Sequence, residues 1–206
     1  MARILLTGFE PFGDFATNPS WDALELAQAR GLLAGLDVTL ARIPVVYDGA
    51  FGVLQKALAQ SNPQCAISFG LHGGLRGREA DTIYIETTAR NRDGANKPDN
   101  SGQQRPEQPI EPGAPHALPA TLDTAAIVTA LQGAGFVART SDNAGAYLCN
   151  HLFFRGARAL QGQIAYGFVH VPPVKSMGGN LNLEQLARAV ALIARTAAAS
   201  AGLAGS

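Results

Sequence analysis

Short apolar runs that alternate with longer helical ones constrain this chain more than any other feature. Residues 2–7 (A-R-I-L-L-T) and 65–70 (C-A-I-S-F-G) read as buried strands, and 37–46 reads as a strand with Pro44 near its end. Between them, 20–34 and 48–60 carry apolar residues at helical spacing, with Ser20 or Asn18 as the cap of the first. In 82–88 (T-I-Y-I-E-T-T), Ile83 and Ile85 alternate with Tyr84 and Glu86, which suits a strand with one apolar and one functional face. The spacing predicts further helices over 121–132, 144–160 and 181–201, and strands over 135–140 and 164–171, the last stopped by Pro172 and Pro173. Strands and helices in alternation imply an α/β fold: a single-domain three-layer sandwich over 1–206, its mostly parallel twisted sheet flanked by helices on both faces. Ligands in such folds sit at the carboxyl ends of the strands, and Gly8, Phe9, Gly70 and His170 fall at or near such ends. The segment from about 92 to 119 breaks the pattern: it is rich in Pro, Gly, Asn and Gln, without a period. Aperiodic loops of that length are usually functional or mobile.

Composition narrows the function classes. Of the 206 residues 47% are hydrophobic and 16% charged, with a formal net charge of zero. That gives no electrostatic footprint for nucleic acid or an acidic membrane. No run approaches the roughly 18 apolar residues that span a bilayer. No export signal is evident, so the expectation is a cytoplasmic chain in which Cys65 and Cys149 stay reduced. No Cys or His cluster has zinc spacing, and no metal is expected. The low-charge, Ala- and Gly-rich surface favours self-association.

Cys149 carries the chemical interest. It lies in S-D-N-A-G-A-Y-L-C-N-H at 141–151, close to an expected helix start for which Ser141, Asp142 and Asn143 are candidate caps. A helix N-terminus favours a thiolate, although most cysteines are small buried hydrophobes. Cys65, inside a strand without polar neighbours, fits that bland role. His170, at the end of its strand in G-F-V-H-V-P-P, is the candidate base, with His72 in a Gly-rich loop as its main rival. His151, two residues after Cys149, points away from it on a helix. Glu86 is placed to orient an imidazole, or else to pair with a neighbouring arginine on the surface. The turn T-G-F-E-P-F-G at 7–13 lacks the ending of a phosphate loop. Its aromatic residues, Phe9 and Phe12, would hold a small flat ring or simply fill core.

Taken together, these segments resemble the pyroglutamyl peptidase I family of cysteine peptidases. The resemblance runs through T-G-F-E-P-F-G at 7–13, N-P-S-W at 18–21, I-P at 43–44 and G-x-x-G-G at 70–74. It continues with E-T-T-A-R-N at 86–91, P-D-N at 98–100, A-G-A-Y-L-C-N-H-L-F-F at 144–154 and G-F-V-H-V-P at 167–172. It implies Cys149 as nucleophile, His170 as general base and Glu86 as the carboxylate orienting the histidine. It implies removal of an N-terminal pyroglutamyl residue from peptides, with the lactam between Phe9 and Phe12, read by groups around Asn18 and walled by Tyr147. It further implies a cytoplasmic homo-oligomer, tetramer or dimer, with no cofactor or metal. The chain departs from the pattern at Leu71, where typical members carry a glutamine able to bond the lactam. It also departs at Val45, in place of a threonine, and at Thr87, in place of an arginine.

Overall fold

The computed structural model describes residues 1–75 and 77–202. Its strands are β1 (Arg3–Phe9), β2 (Asp37–Ile43), β3 (Cys65–Leu71), β4 (Ile83–Glu86), β5 (Thr88–Arg90), β6 (Ala117–Pro119), β7 (Ala138–Ser141) and β8 (Ala165–Val171). Its helices are α1 (Pro19–Ala29), α2 (Tyr47–Ser61), α3 (Thr124–Gly133), α4 (Leu148–Leu160) and α5 (Leu183–Ser200). The main sheet runs β2-β1-β3-β8-β4-β7, and β5 pairs with β6 in a separate ribbon. Every neighbouring pair of the main sheet is parallel except β4 with β8. Helices α1, α3 and α5 cover one face, where Ile67, Phe69 and Val169 point into the core. Helices α2 and α4 cover the other, over Leu5, Ala66 and Phe168. The side chains of Phe69, Phe153, Phe154 and Phe168 are fully buried. Each is worth roughly 1.5–3 kcal/mol relative to exposure. The expected α/β sandwich is the observed one.

Several boundaries differ from the sequence reading, each for a local reason. Of the two candidate caps of α1 it is Asn18 that serves, its Oδ1 accepting the Ser20 N–H at 3.1 Å. That helix stops at Ala29 instead of continuing to 34, because the chain turns at Gly31 with φ 67°. Strand β2 ends at Ile43, before Pro44, which has no N–H to donate. Helix α4 starts at Leu148, not 144. Gly145 has φ 82°, a left-handed conformation no helix can contain. The proposed caps are used upstream instead, Ser141 Oγ accepting from Asn143 N at 3.2 Å and Asn143 Oδ1 from Gly145 N at 3.1 Å. The run 82–88 splits, Glu86 ending β4 while Thr88 begins β5.

The Pro- and Gly-rich segment is a wrapped loop tied down at many points. Asp93, fully buried, accepts from Arg105 Nη1 at 3.0 Å and contacts His151 Nδ1 at 3.0 Å. Asp99 accepts the Tyr47 N–H at 2.8 Å, at the start of α2. Asn100 Nδ2 donates to Glu10 Oε1 at 3.0 Å and to the Pro11 carbonyl at 2.9 Å. These bonds fold residues 93–100 over the carboxyl end of β1.

Candidate active site

Cys149 is the second residue of α4, closer to the helix start than the sequence reading placed it. The first turn of a helix has backbone N–H groups without intrahelical partners, and they favour an anion. Tyr147, the N-cap, makes no side-chain capping bond, and no acidic residue in the first turn opposes that field. The sulfur reaches the sheet over Gly70. A Cβ at that position would lie 2.8 Å from Cys149 Sγ and 2.7 Å from Phe168 Cζ, so only glycine lets the helix start approach β3.

Register brings in the other two residues. Gly70 pairs with His170 across β3 and β8, which sets the imidazole beside the space that the sulfur occupies. Strand β4 pairs antiparallel with β8, Tyr84 opposite His170 and Glu86 opposite Phe168. Residues on one strand face recur every second position, so Glu86 lies diagonal to His170 on the same face. The result is a bond of 2.8 Å between Glu86 Oε1 and His170 Nδ1, with Glu86 1% and His170 5% exposed. The second carboxylate oxygen, Glu86 Oε2, is buried and has no hydrogen-bond partner among the described residues. Burial alone would push the His170 imidazolium towards losing its proton. Its charge contact and hydrogen bond with Cys149, together with the Glu86 carboxylate, outweigh burial and hold it well above the usual histidine range. The three residues that the sequence reading singled out are thus side by side.

His72, the rival base, stands next to this group without joining it. Its ring is edge-on to His170, with centroids 5.3 Å apart, and tilted against Tyr84 at 5.9 Å. Burial, then the charge of His170, lowers its pKa, against a backbone hydrogen bond at the residue itself and the charges of Glu86 and Glu79. A histidine depressed in the folded chain resists a proton that the unfolded chain accepts, so stability falls as pH drops below about 6.5. Replacing His72 by Asn is therefore expected to remove that loss: urea midpoints of the two proteins should diverge in favour of the variant between pH 7.5 and 5. A constant gap would contradict the assignment.

A cavity of about 430 Å³ opens beside Cys149 and His170. Phe9, Phe12, Leu71 and Tyr147 line it, the first two placed there by the turn after the first strand and the other two named through the family resemblance. Asn18 also borders it, but its side chain is spent on structure: Oδ1 accepts from Ser20 N and Ser20 Oγ, and Nδ2 donates to the Glu10 carbonyl at 2.9 Å. Phe15, Val45 and Lys97 line the cavity as well. The spacing 9, 12, 15 of the phenylalanines announces Phe15 in the sequence, whereas nothing local announces Lys97. Among the described residues no group of three or more His, Cys, Asp or Glu side chains is arranged to hold a metal ion.

Comparison with known proteins agrees with this geometry. The family model described as pyroglutamyl peptidase matches residues 2–200. A pyrrolidone-carboxylate peptidase of Gloeobacter violaceus is 44% identical over 174 residues, covering 82% of this chain and 81% of the relative. One from Aliivibrio fischeri is 35% identical over 201 residues, 95% of this chain and 92% of its own length. Among solved structures, pyroglutamyl peptidase I of Bacillus amyloliquefaciens superposes with a TM-score of 0.88 at 31% identity, covering 97% of this chain and 98% of the other. With residues 2–200 matched and its thiol, imidazole and carboxylate brought together, the chain belongs to the pyroglutamyl peptidase family.

Proposed function

We propose that this chain, as one peptidase domain, removes N-terminal pyroglutamyl residues from peptides through a thioester, with Cys149 as nucleophile, His170 as acid and base, and Glu86 as its orienting partner. The observation that carries the reading is the buried Glu86–His170 bond of 2.8 Å, with Cys149 at a helix start on the same cavity and its charge acting on the same imidazole. The thiolate attacks the pyroglutamyl carbonyl carbon, and the free N–H groups at the start of α4 face the oxygen that becomes negative. His170 gives its proton to the departing amine as the C–N bond breaks. It then takes a proton from water, which attacks the thioester and frees pyroglutamate and the thiol.

The lactam fits the apolar end of the cavity. Phe9, Val45 and Leu71 are each at most 5% exposed there. Phe12 and Tyr147 form the opposite wall, their rings 6.3 Å apart. The side chains of Leu71 and Val45 offer only apolar surface to the ring, and Asn18 has its Oδ1 taken by Ser20 and one Nδ2 hydrogen by the Glu10 carbonyl, so ring recognition rests largely on backbone groups. That observation favours a second reading, a cysteine amidase acting on another small cyclic or acyl amide. A site lacking a side-chain partner discriminates less sharply between isosteric ligands.

The test is turnover of pyroglutamyl-arylamide against prolyl-, alanyl- and glutamyl-arylamides. We expect kcat/KM for the pyroglutamyl compound to exceed the others at least about 100-fold. Comparable rates would favour the amidase, and no turnover of any would point to a silent ring-binding protein. A homo-oligomer, tetramer or dimer, in the cytoplasm completes the proposal. Size-exclusion chromatography with light scattering measures the first, and cell fractionation the second. Among the described residues no helix is long and apolar enough to cross a membrane.

A further inference from the structure

A cation stands at the mouth of the cavity with no carboxylate beside it among the described residues. Lys97 lies on the strap between Asp93 and Asn100, and that strap is held on both sides of it. Gly94 and Ala95 donate to the Ala146 carbonyl, each at 3.1 Å, and the Tyr147 hydroxyl donates to the Pro98 carbonyl at 2.8 Å. The ammonium therefore has a fixed seat, 4.0 Å from the Tyr147 ring centroid and 4.9 Å from that of Phe12. No aspartate or glutamate is among the described residues that line the cavity. No described carboxylate lies within ion-pair distance of the Lys97 ammonium either. Contact with the two rings desolvates it and lowers its pKa, while the charge of Cys149 opposes that shift, so cation and nucleophile share one field.

We propose that Lys97 determines specificity on the leaving side of the scissile bond, receiving a carboxylate carried by the residue that follows pyroglutamate. The inference rests on the pyroglutamyl-peptidase reading and goes beyond it. The closed end of the cavity is apolar and suits an uncharged ring. Lys97 is exposed as a whole residue and so reaches solvent at the rim of the cavity, the side by which this proposal has the rest of the peptide leave. An anion reaching it comes from the next residue, either as a side-chain carboxylate or as the α-carboxylate of a dipeptide. The chemistry is the same in both, and the substrates separate them.

Release of pyroglutamate is to be measured by chromatography, with two ratios of kcat/KM. Pyroglutamyl-glutamate amide over pyroglutamyl-glutamine amide reads the side chain. Pyroglutamyl-alanine over its amide reads the α-carboxylate. At least one ratio should be about three- to fivefold at low salt, the worth of a solvent-accessible ion pair. That ratio should fall towards one in about 1 M NaCl, where charges are screened beyond about 3 Å. It should also fall to one in Lys97→Met, and in Lys97→Glu the preference should invert towards pyroglutamyl-lysine amide. Both ratios at one in the unmodified enzyme, or a ratio untouched by Lys97→Met, would overturn the proposal. Absence of pyroglutamate from every substrate, the neutral amides included, would overturn the peptidase reading together with it.

Discussion

Replacing Cys149 by Ala is expected to lower pyroglutamyl-arylamide hydrolysis by at least about 10⁴-fold in kcat/KM, the scale on which loss of a nucleophile is felt. No other thiol lines the cavity. Cys65, the other free thiol, is fully buried in β3, and desolvation pushes its pKa up to about 12. Cys65→Ala removes a sulfur that touches no part of the cavity, and its kcat/KM should stay within about twofold of the parent. The same contrast predicts labelling: iodoacetamide should modify Cys149, which is partly exposed, and leave Cys65 untouched until the protein unfolds. Cys149→Ser is the more demanding variant, because it keeps the shape of the site. A hydroxyl at the helix start is a far weaker nucleophile at neutral pH than a thiol beside an imidazole. It should be nearly as inactive as Cys149→Ala. Hydrolysis surviving in both would exclude the thioester route, and labelling of Cys65 at the rate of Cys149 would exclude the difference in environment on which it rests.

What the sequence disclosed follows from which features are local. Hydrophobic period marked every strand of the main sheet and every helix, because each buries a face that the period reports. The direction of β4 was not visible. Its composition suits either orientation, and only the pairing with β8 makes it antiparallel. That direction matters, since it sets the diagonal by which Glu86 meets His170. The start of α4 was misplaced because Ser141, Asp142 and Asn143 have the chemistry of caps, and the left-handed Gly145 that prevents their use is a backbone property. Phe9 and Phe12 were legible from the turn that follows the first strand, Leu71 and Tyr147 only through the resemblance to the family. Lys97 was not: it reaches the cavity only because Asp93, Asp99 and Asn100 tie a distant loop across it.

Glu86→Gln tests the electrostatic half of the site with almost no change in shape. In a triad, neutralising the carboxylate that orients the histidine costs up to about 10⁴-fold in kcat. A loss of about 10²- to 10⁴-fold is expected here. The buried Oε2, without a partner among the described residues, sharpens the argument. A carboxylate whose second oxygen is unsatisfied directs its charge at His170, so its removal is felt there and not dispersed over other donors. Stability should report the same contact with a definite sign. Burial works against the imidazolium, and contact with Cys149 and Glu86 raises its pKa above the unfolded value. A raised pKa gives stability that is fully present below the unfolded value of about 6.5 and is lost as pH rises through the folded one. The margin of the parent over Glu86→Gln in urea unfolding should therefore be widest near pH 6 and shrink in alkaline solution. A variant that loses activity with a margin independent of pH would mean that Glu86 acts by packing alone. A variant that keeps full activity would remove Glu86 from the mechanism and leave Cys149 and His170 to work as a pair.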